Sequence, residues 1–212
     1  MEQDSQNTIH TFHVLAKQWQ DKYMNLDLYN DTYDAFCARC EKPDTTVFEV
    51  GCGPGNIAKY ILSRYPGFRI YGTDAAAAMV ELARKNNPTA RFEVLDCRHI
   101  RTITEKFDAV VCGFCLPYLA KTDAENLIRD AAALLTSNGV FYLSTIEDDY
   151  ANSRLQTTSN GQYSAHMYFY RESDLLHMLG NNGFVVLQTF RKMLQKPDGS
   201  FESGIIFIAR KN

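Results

Sequence analysis

The sequence predicts an α/β protein with a doubly wound, mostly parallel sheet, and three observations lead to this prediction. From residue 44 onward, short β-branched and aromatic runs alternate with amphipathic helical stretches. Several runs, such as 47–50, are almost continuously apolar, which is typical of parallel strands covered by helices on both faces. The chain then ends in two long strands, so we expect a C-terminal antiparallel hairpin.

Length and composition limit the kinds of protein that this chain can be. Its 212 residues suit one domain, and 45% hydrophobic residues suffice for a full core, which excludes a disordered chain. The net charge of -3 argues against a nucleic-acid binder. The longest apolar stretch, 109–120, is too short for a bilayer, and the N-terminus lacks a signal-peptide pattern. We therefore expect a soluble cytoplasmic protein that binds neither nucleic acid nor membrane.

The first 43 residues are predicted to be helical. Apolar side chains recur at three- and four-residue spacing from Ile9 to Trp19, and a second helical stretch covers 28–40. Pro43 ends the pattern. We expect a helical N-terminal part over 1–43 and a ligand-binding domain over 44–212, joined in a single structural unit.

Seven strands and four further helices are predicted after residue 44. The strands are 46–50, 69–73, 91–95, 108–112, 140–146, 184–193 and 201–210, and the helices are 56–64, 76–86, 123–135 and 172–179. The sequence Pro197-Asp198-Gly199 predicts the turn of the last hairpin, because Pro fixes φ and Gly accepts a positive φ.

The six cysteines include two CxxC pairs, Cys37/Cys40 and Cys112/Cys115. A zinc ribbon would place its pairs about 15–20 residues apart, and these pairs lie much farther apart. The first pair fits ordinary packing on a helix. The second flanks the end of a hydrophobic strand, so a redox function stays open as an alternative. We expect six reduced thiols and no metal site.

The segment 49–55, with the sequence EVGCGPG, joins a hydrophobic strand to a helix that begins near Asn56. A glycine-rich turn at the carboxyl edge of a parallel sheet lets a ligand approach the backbone. The dinucleotide fingerprint fails because Asn56 occupies its third glycine position and Pro54 removes a backbone donor. A phosphate-binding P-loop fails because no Gly-Lys-Ser/Thr follows. The carboxylate of Glu49 would repel phosphate and attract an amine or another cation.

Two more acids, Asp74 and Asp96, end the second and third strands. Parallel strands would place them with Glu49 along one edge of the sheet, where an acid commonly takes ribose hydroxyls. A ligand with an ammonium, a ribose, an adenine amine and no phosphate fits this layout, and S-adenosylmethionine (SAM) is such a ligand. Structural alternatives stay open: Glu49 as a solvated strand-edge acid, and Asp74 and Asp96 as helix N-caps.

At this point the sequence resembles the class I SAM-dependent methyltransferases of the small-molecule type. The segments 49–55, 72–83, 96–100, 107–119 and 134–143 are similar to five of the family's motifs, in order. With the final two strands, the resemblance covers most of residues 10–210. It implies a seven-stranded Rossmann-like sheet, SAM as cofactor, S-adenosylhomocysteine (SAH) as product, and in-line methyl transfer to a small-molecule acceptor.

The resemblance also implies a function for each matched residue. Gly51, Gly53 and Gly55 would let the methionine portion of SAM lie against the loop, with Glu49 near its amino group. Asp74 would hold the ribose, and Asp96 would accept from the adenine amine. The other implied cofactor-binding residues are Cys52, Asn56, Ala75, Met79, Cys97 and Gly113, together with Trp19 and Tyr23 of an N-terminal helix that closes over the cofactor as a lid. Met79 and Trp19 fit a plain core position as well.

No catalytic side chain is nominated, because positioning supplies much of the acceleration of methyl transfer and a base is needed only for acceptors that must lose a proton. Pro117 stands where many relatives carry a His, which weakens a His-base scheme. The aromatic segment 147–170 is expected to help form the wall for a small or partly apolar acceptor. The substrate-pocket candidates are Tyr118, Tyr150, His166 and Tyr168, and the last two could be acid, base or purely structural.

Two other functions stay open on the sequence alone. One is a non-catalytic or non-methylating SAM-binding protein, with which the intact glycines and acids are compatible. The other is a NAD-dependent oxidoreductase, which Pro54 and Asn56 weaken. We expect a monomer or a homodimer, and the sequence does not name the methyl acceptor.

Overall fold

The elements alternate as the apolar pattern predicts, in a computed structural model that describes residues 2–158, 161–195 and 199–212. Two helices come first, α1 (Glu2–Tyr23) and α2 (Asn30–Cys37). The following elements are β1 (Thr46–Val50), α3 (Asn56–Arg64), β2 (Arg69–Asp74), α4 (Ala77–Asn86), β3 (Arg91–Val94), β4 (Phe107–Gly113), α5 (Lys121–Leu134), β5 (Leu135–Ile146), β6 (Arg154–Thr157), β7 (Ser164–Met167), α6 (Glu172–Asn181), β8 (Phe184–Gln195) and β9 (Phe201–Lys211). Short 3-10 turns occupy Cys97–Thr102, Leu116–Tyr118 and Tyr150–Asn152.

Seven of these strands form one sheet in the order β3-β2-β1-β4-β5-β9-β8. The strands β1 to β5 pair in parallel. β9 is antiparallel to both of its neighbours, β5 and β8. The predicted fold class is therefore confirmed: a mostly parallel seven-stranded sheet that ends in an antiparallel hairpin. The strand order reverses between β1 and β4, which is where open α/β sheets form a ligand crevice.

Both faces of the sheet are buried along its central strands, which explains the continuous apolar runs. Along β4, Val110 and Cys112 pack with one core cluster, whereas Ala109 and Val111 pack with the cluster on the other face. Successive side chains of a strand point to opposite faces, so a strand covered on both sides needs apolar residues at every position.

The structure differs from the predictions at the hairpin of β6 and β7 and at the start of β5. The hairpin of β6 and β7 was not predicted, because all four residues of β6 are exposed and show no apolar alternation. β5 begins at Leu135 rather than at residue 140, and pairs there with the start of β4 beyond an irregularity in register. Of the predicted turn, Pro197 and Asp198 lie outside the described residues.

Helix α1 lies across the edge of the sheet where the parallel strands end. Its residue Ala16 packs with Ala76 and Met79 at the start of α4. Its Thr11 hydroxyl donates to the carbonyl oxygen of Ser164 in β7 at 2.8 Å. Among the helices of the described residues, none combines the length and the hydropathy that a bilayer span requires.

Candidate functional site

The loop between β1 and α3 depends on glycines in left-handed conformation. Gly53 has a φ of 52° and Gly55 a φ of 79°, a region that L side chains rarely adopt. A Cβ on Gly55 would lie 2.4 Å from the side-chain nitrogen of Asn87, whereas one on Gly53 would meet no described heavy atom within 4 Å. The backbone N–H of Cys52 donates to the carbonyl oxygen of Thr73 at 2.9 Å, which fixes the loop to the end of β2. The loop therefore exposes backbone to open space at Gly53.

Glu49 is a buried acid near the end of β1, at the start of this loop. Its residue exposure is 2%. The backbone N–H of Ala58 donates to its carboxylate, but its Oε2 atom has no hydrogen-bond partner among the described residues. Burial, and then the charge of Asp74, raise the pKa of Glu49 to about 8. A solvated strand-edge acid would be exposed and would not have its pKa raised by burial, so that alternative is wrong. An unpartnered buried carboxylate oxygen is costly, and a cation in the cavity would remove this cost.

Asp74 connects the glycine loop to helix α4. Its Oδ2 accepts from the backbone N–H of Gly53 at 2.9 Å, and its Oδ1 accepts from that of Ala76 at 2.8 Å. Burial raises the pKa of Asp74 to about 6 even though both bonds lower it. Because an ionised carboxylate offers about four acceptor positions, these two bonds leave capacity for two hydroxyl donors.

Asp96 caps the short helical turn that begins at Cys97. It accepts from the backbone N–H of Arg98 at 2.9 Å, from the Nε of Arg98 at 2.9 Å and from its Nη2. Burial alone would raise the pKa of Asp96, but the hydrogen bonds and charge of Arg98 hold it below its usual value. Arg98 also donates to Ser5 of α1. The N-cap alternative therefore describes this side chain correctly, and Asp96 lines the cavity as well.

A cavity of about 250 Å³ opens beside these three acids, at the crevice where the strand order reverses. It is far larger than the space of a single water. The structure brings all of the nominated cofactor residues and one substrate-pocket candidate to its wall: Trp19, Tyr23, Glu49, Gly51, Cys52, Gly53, Asn56, Asp74, Ala75, Met79, Asp96, Cys97, Gly113 and Tyr118.

Helix α1 supplies an aromatic cover for the cavity. The rings of Trp19 and Tyr23 are stacked with centroids 4.6 Å apart, and Phe12 meets Tyr118 edge-on at 4.7 Å. Met79 is only 2% exposed and packs with Ala16 of α1. Met79 is therefore a core residue and a cavity wall at once.

Tyr150, His166 and Tyr168, which were nominated for the substrate pocket, do not line this cavity. Met167 is buried in one cluster with Tyr118. Because side chains alternate along an extended segment, His166 and Tyr168 point to the other side. There the ring of His166 stacks on Tyr168 at 4.4 Å and Tyr150 stacks on Tyr168 at 6.1 Å.

Several cavity residues were missed by the sequence analysis. They come from α1, from the segment before α2 and from the ends of β4, β5, β8 and β9, and include Phe12, Tyr29, Phe114, Ile146, Leu194 and Glu202. Phe114 carried a usable signal because it directly follows Gly113 at a strand end, and so did Phe12, which shares the apolar stripe of Trp19. The others depend on long-range pairing that no local motif reveals.

The thiols show no sign of activation. Burial raises the pKa of Cys40 to about 12. A hydrogen bond with Cys112 and burial raise the pKa of Cys115 well above its usual value, although its hydrogen bond with Cys97 acts in the opposite direction. A redox thiol needs a lowered pKa. Within the described ranges, no three His, Cys, Asp or Glu side chains are grouped in a way that could hold a metal ion.

The chain matches one protein family over most of its length, and it matches two individual relatives over about half of its length. Residues 20–189 match the methyltransferase domain family. The chain is 34% identical over 104 residues to trans-aconitate 2-methyltransferase of Variovorax paradoxus, which covers 49% of this chain and 39% of that protein. It is 31% identical over 101 residues to malonyl-[acyl-carrier protein] O-methyltransferase of Acetivibrio thermocellus, which covers 47% of this chain and 35% of that protein. The matched part spans less than half the length of either relative.

Solved structures share the fold over most of the chain. Magnesium protoporphyrin IX methyltransferase of Synechocystis PCC 6803, with bound SAH, has a TM-score of 0.75 at 20% identity and covers 99% of this chain and 100% of its own. The [4+2]-cyclase SpnF has a TM-score of 0.65 at 16% identity, with coverage of 86% and 80%. These likenesses concern the fold alone and support the Rossmann-like class. The family match runs from within α1 into β8, and on that basis the chain belongs to the methyltransferase domain family.

Proposed function

We propose that this protein is a SAM-dependent methyltransferase that acts on a small-molecule acceptor. The observation that carries the proposal is the buried carboxylate of Glu49, whose Oε2 atom has no partner among the described residues and which lines the cavity. Burial raises the pKa of this group to about 8, and an ammonium group bound in the cavity would ionise it and pair with its charge. The family match and a solved neighbour with bound SAH support the same ligand class.

The residues present fit the cofactor. Glu49 would accept from its amino group, and Asp74 has capacity for the two ribose hydroxyls. The open space at Gly53 admits the methionine portion close to the backbone. Asp96 and Cys97 line the cavity beside the end of β3, where the adenine would lie. Ala75 and Met79 supply apolar contacts next to Asp74.

The chain's own residues would act by positioning and by excluding water. When bound, SAM supplies a methyl group on a positively charged sulfur. The aromatic rings of α1, including Phe12 and Trp19, cover the cavity and keep it dry. Burial raises the pKa of Tyr118 far above its usual value, so its hydroxyl keeps its proton. We therefore do not assign Tyr118 as a base.

The segment 1–43 is proposed to be a lid on the domain 44–212. Three contacts support this arrangement: Thr11 donates to Ser164, Ser5 accepts from Arg98, and Phe12 packs against Tyr118. The last two contacts hold α1 against the cavity wall, which Arg98 and Tyr118 line, and the first holds it against β7. Closing this helix after the cofactor enters would complete the site.

We place the protein in the cytoplasm as a monomer or homodimer. Six free cysteines support a reducing compartment. The modest net charge of -3 supports a partner other than nucleic acid. The relatives' names, which refer to trans-aconitate and a malonyl carrier, support a metabolite as acceptor.

Turnover tests this proposal directly. Purified protein would be incubated with labelled SAM and an extract of small metabolites, and SAH formation would be measured with and without the extract. Extract-dependent SAH and a labelled metabolite are expected. Label in RNA but in no metabolite would overturn the acceptor class. Binding of SAM without turnover would favour a non-methylating user of the fold, an alternative that the likeness to a [4+2]-cyclase keeps open.

A further inference from the structure

Asp96 is held by one arginine at the end of the cavity that is proposed for adenine. Its Oδ1 atom accepts from the backbone N–H of Arg98 and from the Nε of the same residue, each at 2.9 Å. Its Oδ2 atom accepts from Nη2. Nε and Nη2 thus hold the carboxylate as a two-point fork, which is the strong and directional form of an arginine–carboxylate pair. The pair is largely buried, with 17% of the Asp96 side chain and 23% of the Arg98 side chain exposed.

The fork leaves Asp96 with room for one more donor. An ionised carboxylate offers about four acceptor positions, two on each oxygen. The two bonds from Arg98 fill those of Oδ1, to which the thiol of Cys97 also donates at 3.7 Å. Nη2 fills one position on Oδ2, so among the contacts of the described residues one position on Oδ2 remains. Because Asp96 lines the cavity, a single N–H of a ligand fits this position.

The same guanidinium reaches helix α1. Its Nη1 atom donates to the hydroxyl of Ser5, and both Arg98 and Ser5 line the cavity. Because a guanidinium is planar and rigid, the fork on Asp96 also fixes the direction in which Nη1 points. One side chain therefore connects the acid at the end of β3 to the first turns of α1.

The second half of α1 is attached elsewhere, to helix α4. Ala16 packs with Met79, and the side-chain amide of Asn86 donates to the side-chain oxygen of Gln20 at 2.8 Å. Gln20 lies about 22 Å from Ser5 along the helix axis, at about 1.5 Å per residue. Removing the link to Ser5 would therefore weaken the hold on the first turns of α1 while the second half stays attached to α4.

We propose that Arg98 is a positioning residue that orients Asp96 to accept one N–H of the adenine 6-amino group and holds the first turns of α1 over the bound cofactor through Ser5. The inference rests on the proposed function, because it requires adenine at this end of the cavity. Recognition of the base and closure of α1 then depend on one guanidinium. Lysine cannot replace it, because an ammonium group is a compact charge without a planar fork.

The 6-amino group of adenine tests the first function. Calorimetry would compare SAH with its analogue that carries hydrogen in place of this group. Wild type should bind SAH about 10- to 100-fold more tightly than the analogue, the effect of one hydrogen bond to a charged group. Arg98→Lys should reduce this ratio to about threefold or less. Arg101→Lys, at an exposed position of the same helical turn and outside the cavity wall, is the matched control and should keep the wild-type ratio.

Two results of this comparison would overturn the inference. One is a ratio near one in wild type, because Asp96 would then not accept from the amino group. The other is an unchanged or larger ratio in Arg98→Lys. A larger ratio would show that Arg98 competes with the base for Asp96 instead of orienting it.

The chain's single tryptophan, Trp19, reports the second function. It belongs to α1 and lines the cavity, so its fluorescence should change when SAH leaves. Ser5→Ala removes an acceptor of Nη1 and should speed SAH release about three- to tenfold in stopped-flow measurements, with the amino-group ratio unchanged. Ser63→Ala, at an exposed serine of α3, is the control and should leave the rate unchanged. Equal release rates in wild type and Ser5→Ala would overturn the proposed hold on α1.

The proposed function and the assignment of Arg98 fail in different ways. Absence of SAH binding to wild type would overturn the proposed function, whereas SAH binding without preference for the amino group would overturn only the assignment of Arg98. Neither the wild-type ratio nor the release rate of Ser5→Ala depends on whether Arg98→Lys folds, so each tests the assignment by itself.

Discussion

The Oδ2 atom of Asp74 accepts a hydrogen bond from the backbone N–H of Gly53 at 2.9 Å. This contact ties the end of β2 to the glycine loop after β1, so one carboxylate sets the shape of the loop and also faces the cavity. Two neighbouring strands thereby build a single binding surface from residues 21 positions apart in the chain.

Replacing Asp74 by Asn tests this double function. The amide group cannot accept from Gly53 with its nitrogen, and it offers fewer acceptor positions to the ribose. We expect SAM affinity to fall by about 10- to 100-fold, the effect of losing one or two hydrogen bonds to a charged group. Calorimetric titration measures it. Asp44→Asn, at an exposed ion pair with Arg69, is the matched control and should leave affinity unchanged.

Gly53 should be needed for binding more than for folding. A Cβ there meets no described atom within 4 Å, so Gly53→Ala costs only the left-handed strain of about 1–2 kcal/mol. The new methyl group would project into open space at the loop and lower SAM affinity. Gly183 has a φ of 77° and equally open surroundings but lies outside the cavity wall. Gly183→Ala should therefore lose similar stability in urea unfolding and keep full SAM affinity; a parallel loss of affinity would contradict the account.

The buried charge of Glu49 should lower the stability of the free protein as pH rises. Its pKa is about 8 in the fold against an ordinary value of 4.5, so the folded chain holds a proton that the unfolded chain releases. The stabilisation is complete below about pH 4.5 and is lost as pH rises to about 8. Glu49→Gln removes the titration, so above pH 8 the variant should be more stable than wild type, by on the order of 5 kcal/mol.

Urea unfolding at acidic, neutral and alkaline pH, without ligand, measures this difference. The wild-type free energy of unfolding should fall relative to the variant across the window between 4.5 and 8. Parallel curves at all three pH values would show that Glu49 does not titrate in that range. Glu81→Gln, at an exposed position of α4, serves as the control and should leave the pH dependence unchanged.

Tyr118 is expected to be a wall residue rather than a base. Burial raises the pKa of its hydroxyl far above its usual value, because an ionised phenol would be unsolvated there. Tyr118→Phe should therefore keep kcat within about threefold, whereas loss of a general base costs about 10²–10⁴. Initial rates over a range of pH decide between the two. A large fall in kcat would assign the proton transfer to this hydroxyl.

The site was predictable wherever local sequence and sheet geometry act together. The strand 46–50 was predicted with its observed bounds because its apolar run continues up to the glycine turn. Glu49, Asp74 and Asp96 meet at one edge because the carboxyl ends of parallel strands coincide there. An acid at the end of a predicted parallel strand therefore indicates a ligand site even when the details of the fold are not known.

The side of the cavity beyond β4 was not predictable, because it depends on long-range register. Leu194 and Glu202 reach the cavity only through the antiparallel pairing of β8 with β9. The orientation of His166 depends on register in the same way, since a shift of one residue along β7 would exchange its position with that of Met167. The sequence of an aromatic segment does not show which of its side chains face the interior.

The most direct test of the central claim is proton release on binding. At about pH 6.5 the free protein holds Glu49 protonated, because its pKa is about 8, and accepting an ammonium group would ionise it. Calorimetry of SAH binding in two buffers of different ionisation enthalpy should report release of nearly one proton, and Glu49→Gln should bind weakly with little release. Binding of SAH with no proton release in the wild type, or unchanged affinity in the variant, would contradict the assignment of Glu49 to the cofactor's amino group.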